Sequence, residues 1–284
     1  MQRVYPFLFV FLWSTGFIGA KVGLPYAGPL SFLLTRYGFV IALMTVVALA
    51  TRAPWPQEPV QWLHIAVSGL LVHALYLGGV FVAIKHGLPA GVTALVVGMQ
   101  PLLTALGAGW LLGETVSGRQ WAGLALGFVG VGLVVSGKFG DGAALGPMLI
   151  PALVALLGIT AGTLYQKRFC ARFDLRTGSV IQFVPTAVVT AIAIAWFEDF
   201  HIEWTPSFIF ALAWLVLVLS LGAISLLNLL IRSGSAVNVA SLFYLTPIST
   251  AVIAWAVFGE KLTLTATAGM LLAVSGVYLV ARTK

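Results

Sequence analysis

Residues 90–134 are written again as residues 236–280, at a constant offset of 146 and without a gap, and 15 of the 45 aligned pairs are identical. Pro101 aligns with Pro247, Gly113-Glu114 with Gly259-Glu260, Ala122-Gly123 with Ala268-Gly269, and Gly130-Val131 with Gly276-Val277. A chain written twice folds as two related units, and here the repeated text is almost wholly apolar. That combination is the mark of a membrane protein built from two halves. Composition agrees: 60% of the residues are hydrophobic and 8% are charged, against about 25% charged in a soluble domain. So few charges cannot dress a water-facing surface. The net charge of +7 does not point to nucleic acid, because Lys and Arg sit singly at the ends of apolar runs rather than in a patch. The single cysteine, Cys170, excludes an intramolecular disulfide and leaves no partner for a thiolate metal site.

A helix needs about 20 apolar residues to cross the hydrocarbon. Ten runs qualify, at 4–24, 29–51, 62–84, 89–112, 119–135, 147–168, 177–197, 207–231, 236–258 and 264–282. Proline- and glycine-rich breaks separate them, among them 25–29, 53–56, 87–89 and 233–235. The first run has the flanks of a signal peptide, but Gly16 aligns with Gly162 and Lys21 with Lys167, so it belongs to the repeat. The expected fold is all-α and integral to the membrane: ten transmembrane helices as two inverted five-helix repeats, residues 1–140 and 147–284. An odd number of helices per half turns the second copy over. With the N-terminus in the cytoplasm, ten basic residues (Arg3, Arg52, Arg119, Lys167, Arg168, Arg172, Arg176, Arg232, Arg282 and Lys284) fall on the cytoplasmic side. Lys21, Lys85, Lys138 and Lys261 fall outside. The positive-inside rule therefore predicts both termini in the cytoplasm.

The stretch Pro101-Leu-Leu-Thr-Ala-Leu, Leu-Gly-Glu114, Gln120-Trp-Ala-Gly123 and Gly130-Val-Gly-Leu-Val, with its second copy from Pro247 to Val280, resembles the repeat of the EamA-type drug/metabolite transporter superfamily. Leu12-Trp-Ser-Thr-Gly-Phe-Ile-Gly-Ala-Lys21 is similar to that family's first helix, and Arg36 to an arginine common in its second. The resemblance covers nearly the whole chain. It implies ten helices in a bacterial inner (plasma) membrane and export or exchange of small metabolites by alternating access, with the amino-acid exporter branch favoured. The shared motifs are structural and do not name a substrate.

Several residues are candidates for the path. Pro101 and Pro247 fall near the middle of the fourth and ninth runs, where each removes a donor and frees a carbonyl one turn earlier. Such a carbonyl in lipid needs a partner or a water-lined cavity, so both are expected as structural kinks beside a central site. Arg36 lies about two turns inside its run. It either snorkels or points inward toward a substrate carboxylate, and its repeat mate Gln182, also polar, favours the inward face. His73 sits near a midplane and either packs or binds, with Tyr76 three residues on and expected on the same face. Trp13, Met99, Gln100, Ser241 and Tyr244 lie at comparable depth and complete an expected substrate-binding pocket, aromatic and weakly polar. Asn228 is a candidate for an inner gate. Glu114 and Glu260 follow glycine at the ends of runs and are expected to be structural, held by a salt bridge or by a hydrogen bond to a neighbouring helix start. Small residues at 123, 127, 130, 132, 269, 273 and 276 are expected to pack helices closely.

No Asp or Glu lies inside any of the ten runs, so proton coupling would fall to His73 or the substrate, and exchange or uniport is equally compatible. No nucleotide-binding loop of the Walker type is present. The leading expectation is a secondary transporter exporting neutral or aromatic amino acids, with no catalytic residue, metal or cofactor and with lipid and a small solute as partners. An exporter of drugs or nucleosides is the alternative. A lipid-modifying membrane enzyme is more remote, since Glu198, Asp199, His201 and Glu203 form the only acidic cluster and a solvated loop explains it.

Overall fold

The computed structural model describes residues 4–88, 93, 96–136, 146–170, 173–258 and 263–282. Helix α1 (Tyr5–Gly23) passes through one tight turn, Leu24–Tyr26, into α2 (Pro29–Ala50). Then come α3 (Pro59–Lys85), α4 (Gln100–Leu112), α5 (Gly118–Ser136), α6 (Gly146–Phe169) and α7 (Leu175–Phe197). After α8 (Pro206–Ser233), α9 is built of Ala236–Ser241 and Leu245–Phe258 around a tight turn at Leu242–Tyr244, and α10 is Leu264–Ala281. The described residues contain no strand beyond an isolated bridge between Ala27 and Ile202.

The helix ends follow from local chemistry. Proline is the first residue of α2, α3 and α8, where its fixed φ suits a helix and its missing donor has no helical partner to lose. Thr205, Ser235, Thr263 and Asp174 cap α8, α9, α10 and α7 by accepting amides of their first turns. The Arg176 side chain, bonded to Asp174, also holds that carboxyl below the usual carboxylate range. Gly113 closes α4 at φ +67°, a left-handed stop that glycine adopts without strain.

Among the described residues, eight helices are long and apolar enough to cross a membrane: α1, α2, α3, α6, α7, α8, α9 and α10. The chain is thus a multi-pass integral membrane protein. The ten expected spans are reached only if α4 and α5 also cross. Part of the run 89–112 lies outside the described residues, and α4 is described from Gln100 onward. The surface is that of a protein dissolved in lipid. Trp110, Leu264 and Phe197 are exposed, whereas Arg36, His73, Gln100, Gln182 and Asn228 are buried.

The repeat shows itself in the packing. Helix α5 lies along α10, and their glycines meet crosswise. A Cβ on Gly123 would lie 2.7 Å from the Gly276 carbonyl, one on Gly276 2.5 Å from the Gly123 carbonyl, and one on Gly269 2.5 Å from the Gly130 carbonyl. Rising numbers on one helix meet falling numbers on the other, so α5 and α10 run antiparallel with backbones in contact. This is the close small-residue approach expected of those positions.

Polar side chains tie the halves together at helix ends. The Glu114 carboxylate accepts the Ala236 amide at the start of α9, at 3.1 and 3.2 Å. The Glu198 carboxylate accepts the amides of Leu30 (2.9 Å) and Ser31 (2.8 Å) at the start of α2. A helix start presents unpaired donors and partial positive charge, so each carboxylate is favoured there. Lys85 Nζ donates to the Leu24 carbonyl at 3.0 Å. Lys167 Nζ donates to Ile231 and Gly234, closing α8. Glu260 and Lys261 lie outside the described residues.

Candidate functional site: a cavity around Arg36

Helices α3 and α8 each widen into π turns, over Leu70–Leu77 and Leu215–Ala223. The offset of 146 carries 70–77 onto 216–223, so the irregularity is itself repeated. In the second copy the Ile224 amide donates to the Leu219 carbonyl, five residues back, as a π turn requires. The widened turn changes which side chains share a face. His73 and Tyr76, expected together from α-helical spacing, diverge: Tyr76 stacks near Trp13 of α1, at 6.1 Å between centroids and 11° between planes. His73 lies flat on Phe183 of α7, at 4.2 Å and 15°.

Tyr76 lines a cavity of about 30 Å³, room for a water or two. Trp13, Gly16 and Ala20 of α1 form one wall, Leu77, Val80 and Phe81 of α3 another, and Leu219 of α8 a third. Gly16 lets Leu219 pack directly on α1: a Cβ there would lie 2.6 Å from a Leu219 methyl, which would have to shift. Phe9 and Phe243 back the Trp13 ring at 5.2 and 5.4 Å, so one side of the cavity is an aromatic cluster.

Arg36 of α2 completes the lining. It is fully buried. Its Nε donates to Ser220 Oγ at 3.0 Å, and Ser220 Oγ in turn donates to the Leu215 carbonyl at 3.1 Å. Both terminal nitrogens, Nη1 and Nη2, have no hydrogen-bond partner among the described residues. A buried guanidinium without a counter-ion is costly, and none of the six described carboxylates supplies one. Glu114 and Glu198 sit on helix starts, and Asp174 pairs with Arg176 at 2.6 Å. Glu58, Asp199 and Glu203 are exposed outside the helices. The other two, Asp141 and Glu260, lie outside the described residues.

The repeat mate of Arg36 is also turned inward. Gln182 Nε2 donates to Ser68 Oγ of α3 at 3.0 Å, while its Oε1 and both His73 ring nitrogens have no hydrogen-bond partner among the described residues. This region is packed shut: a Cβ on Gly69 would lie 2.6 Å from the Gln182 Cα. His73 is not among the cavity walls. Of the other candidates, Met99 precedes α4 and is half-buried. Gln100 is buried, 3.4 Å from Thr163 Oγ1. Ser241 Oγ donates to the Asn238 carbonyl at 2.8 Å. Tyr244 belongs to the cluster around α5 and α10, covering Gly127, and its hydroxyl has no partner among the described residues. Asn228 accepts from Gln166 Nε2 at 2.8 Å, joining α8 to α6. Pro101 is the second described residue of α4, after a turn at 98–99, and Pro247 is the third residue after the tight turn in α9. Both prolines therefore follow an interruption of their helix.

The cavity thus gathers Trp13, Tyr76 and Arg36 and leaves the other candidates outside its walls. Phe9, Phe243, Gln166 and Ser220 were not singled out from sequence. Ser220 carried a signal, being the lone polar residue in the apolar run 215–223. The acidic cluster disperses: Glu198 caps α2, and His201 and Glu203 form an exposed pair at 3.8 Å.

Known proteins fit this architecture. The EamA-like transporter family matches residues 4–136 and again residues 146–282, once per half. An uncharacterized transporter of Bacillus subtilis, YvbV, is 31% identical over 279 residues, covering 95% of this chain and 88% of that protein. A probable amino-acid metabolite efflux pump of Escherichia coli is 29% identical over 167 residues, 58% of this chain and 53% of the pump. A solved crystal structure superposes with a TM-score of 0.79 over 97% of this chain and 94% of the other, at 21% identity, and so shares the fold. With both halves matched in full, the chain belongs to the EamA-like transporter family.

Proposed function

We propose that this protein exports small amphipathic metabolites bearing a carboxylate, neutral and aromatic amino acids and their derivatives among them, by alternating access across a bacterial inner membrane. The observation that carries the reading is Arg36: fully buried, with two unpaired Nη groups, lining a cavity beside the aromatic cluster of Trp13 and Tyr76. A guanidinium fork recognises a carboxylate with two parallel hydrogen bonds, and in a low-dielectric site that pairing is strong. The partial match to an amino-acid metabolite efflux pump supports the same solute class.

In this reading α4 and α5 also cross the membrane, giving ten spans in two inverted halves, 1–140 and 147–284, with both termini cytoplasmic. A cavity of about 30 Å³ is too small for an amino acid, so solute entry requires the halves to move. The interruptions before Pro101 and in α9 before Pro247 are the hinges, and the Gln166–Asn228 bond is a gate at the opposite end from the cavity. His73, Gln100, Met99, Ser241 and Tyr244 join the path when that end opens. Counterflow in proteoliposomes with amino acids, nucleosides and cationic dyes tests the proposal. Exchange of carboxylate-bearing solutes is expected. Exchange confined to nucleosides or dyes, or no exchange with any solute, would reject it.

A further inference from the structure

The charge inventory of the cavity says more about the solute than that it carries a carboxylate. Among the described residues the walls supply one cation, Arg36, with aromatic rings and aliphatic groups, and no carboxylate. The six described carboxylates are all engaged or exposed elsewhere. A monoanion brought to the Nη fork cancels the buried charge, so the loaded site is neutral. A zwitterion does not achieve this. Its ammonium arrives a few ångströms from its own carboxylate, hence beside the guanidinium, and leaves the loaded site with a net positive charge. Burying that charge without a counter-ion is what interiors avoid. The rings offer weak compensation. Trp13 and Tyr76 lie near-parallel at 6.1 Å, and Phe243 packs at a steep angle to Trp13 at 5.4 Å. A ring face offers a cation far less than a carboxylate would.

We infer that the cavity selects monoanionic carboxylates with an apolar or aromatic body and no α-ammonium, the class of arylalkanoates and branched aliphatic acids, over the amino acids of the same shape. The inference rests on the reading that the Arg36 cavity is the solute site. Nε engaged by Ser220 leaves the two terminal nitrogens as the free edge of the fork. That edge matches a planar carboxylate and places the body against Trp13 and Tyr76.

The test compares probes matched in shape and differing in charge, on the full chain purified in detergent and by counterflow in proteoliposomes. The aromatic set is 3-phenylpropanoate, phenylalanine and 2-phenylethylamine. The aliphatic set is 4-methylpentanoate and leucine. The expected result is that at least one anion binds at least about tenfold more tightly than its amino acid, that the amine does not bind, and that Arg36→Gln removes the preference. If an amino acid binds as tightly as its anion and Arg36→Gln weakens both, the inference is overturned while the cavity remains the solute site. If no probe of either body binds, or Arg36→Gln changes nothing, the reading of the cavity fails and the inference falls with it.

Discussion

Arg36 and Gln182 occupy the same place in the two halves, 146 residues apart, and each reaches across to a serine of the opposite half: Arg36 to Ser220, Gln182 to Ser68. Around Arg36 there is a cavity; around Gln182 the backbone of α3 closes in at Gly69 and Phe183 lies flat on His73. The positions proposed as a gate differ in the same way. Ala20 lines the cavity, while its mate Gln166 is bonded to Asn228, whose own mate is Val82. One backbone plan therefore carries two chemistries. The surroundings of the charge hold a cavity and those of the amide are tightly filled. In the alternating access proposed above, two inverted halves exchange conformations, and a difference in side chains between mates then turns a symmetric device into one with a preferred solute and a preferred resting state.

The largest effect that would break this comparison comes from making the two positions alike. Arg36→Met is expected to lower counterflow by more than about thirtyfold, the loss of a desolvated charged hydrogen-bonding partner being about 2–5 kcal/mol. It should at the same time leave the melting temperature in detergent unchanged or raised. It removes an uncompensated buried charge, and Ser220 keeps its bond to Leu215. Gln182→Met in parallel is expected to change counterflow by less than about threefold, no ion being lost. Equal damage from the two substitutions would show the halves to be functionally equivalent. Next in size is the shared scaffold. Gly130→Val drives a side chain into the α10 backbone and is expected to cost about 1–3 kcal/mol, seen as a lower melting temperature and yield. Gly132→Ala, with nothing within 4 Å of its Cβ, should melt as the parent does.

How much of this was written in the sequence divides along the same line. What the halves share was legible. Gly123 and Gly130 of α5 recur at the offset as Gly269 and Gly276 of α10, and of the two partners open to Glu114, a salt bridge or a helix start, the structure shows the start of α9. Pro101 and Pro247, expected as mid-run kinks, instead follow interruptions of their helices. What distinguishes the halves was legible only as residue type. Arg36 stood out because a charged group at that depth is expensive in lipid, Tyr76 because it lies three residues from His73, and Trp13 because it lies at comparable depth. The π turns were not legible, because no local motif in either stretch signals them; in the structure α6 lies directly against the widened stretch of α3, where a Cβ on Gly158 would lie 2.9 Å from the Leu71 carbonyl and from the Tyr76 amide. Spacing rules assume an unbroken α-helix, and the pairing of His73 with Tyr76 rested on that assumption.

Smaller effects sharpen the comparison. Glu114→Ala removes the acceptor of the Ala236 amide, while Ser235 still caps α9 through Asn238. A loss of about 1 kcal/mol is expected, visible as a modest drop in melting temperature with transport retained. The two serines give the finest discrimination. Ser220 is bonded to a guanidinium that we assign to the solute, Ser68 to an amide that we do not. Ser220→Ala deprives Arg36 of the group that orients it, and one hydrogen bond of about 1 kcal/mol corresponds to a rise in KM of about fivefold. The maximal rate should be unaltered, and Ser220→Thr, which keeps the hydroxyl, should restore the parent KM. Ser68→Ala orphans Gln182 Nε2 in the interior, so about 1–3 kcal/mol of stability is lost while KM stays at the parent value. If Ser68→Ala raises KM as Ser220→Ala does, solute also rests on the amide of the second half, and the division of labour between Arg36 and Gln182 must be redrawn as a shared site.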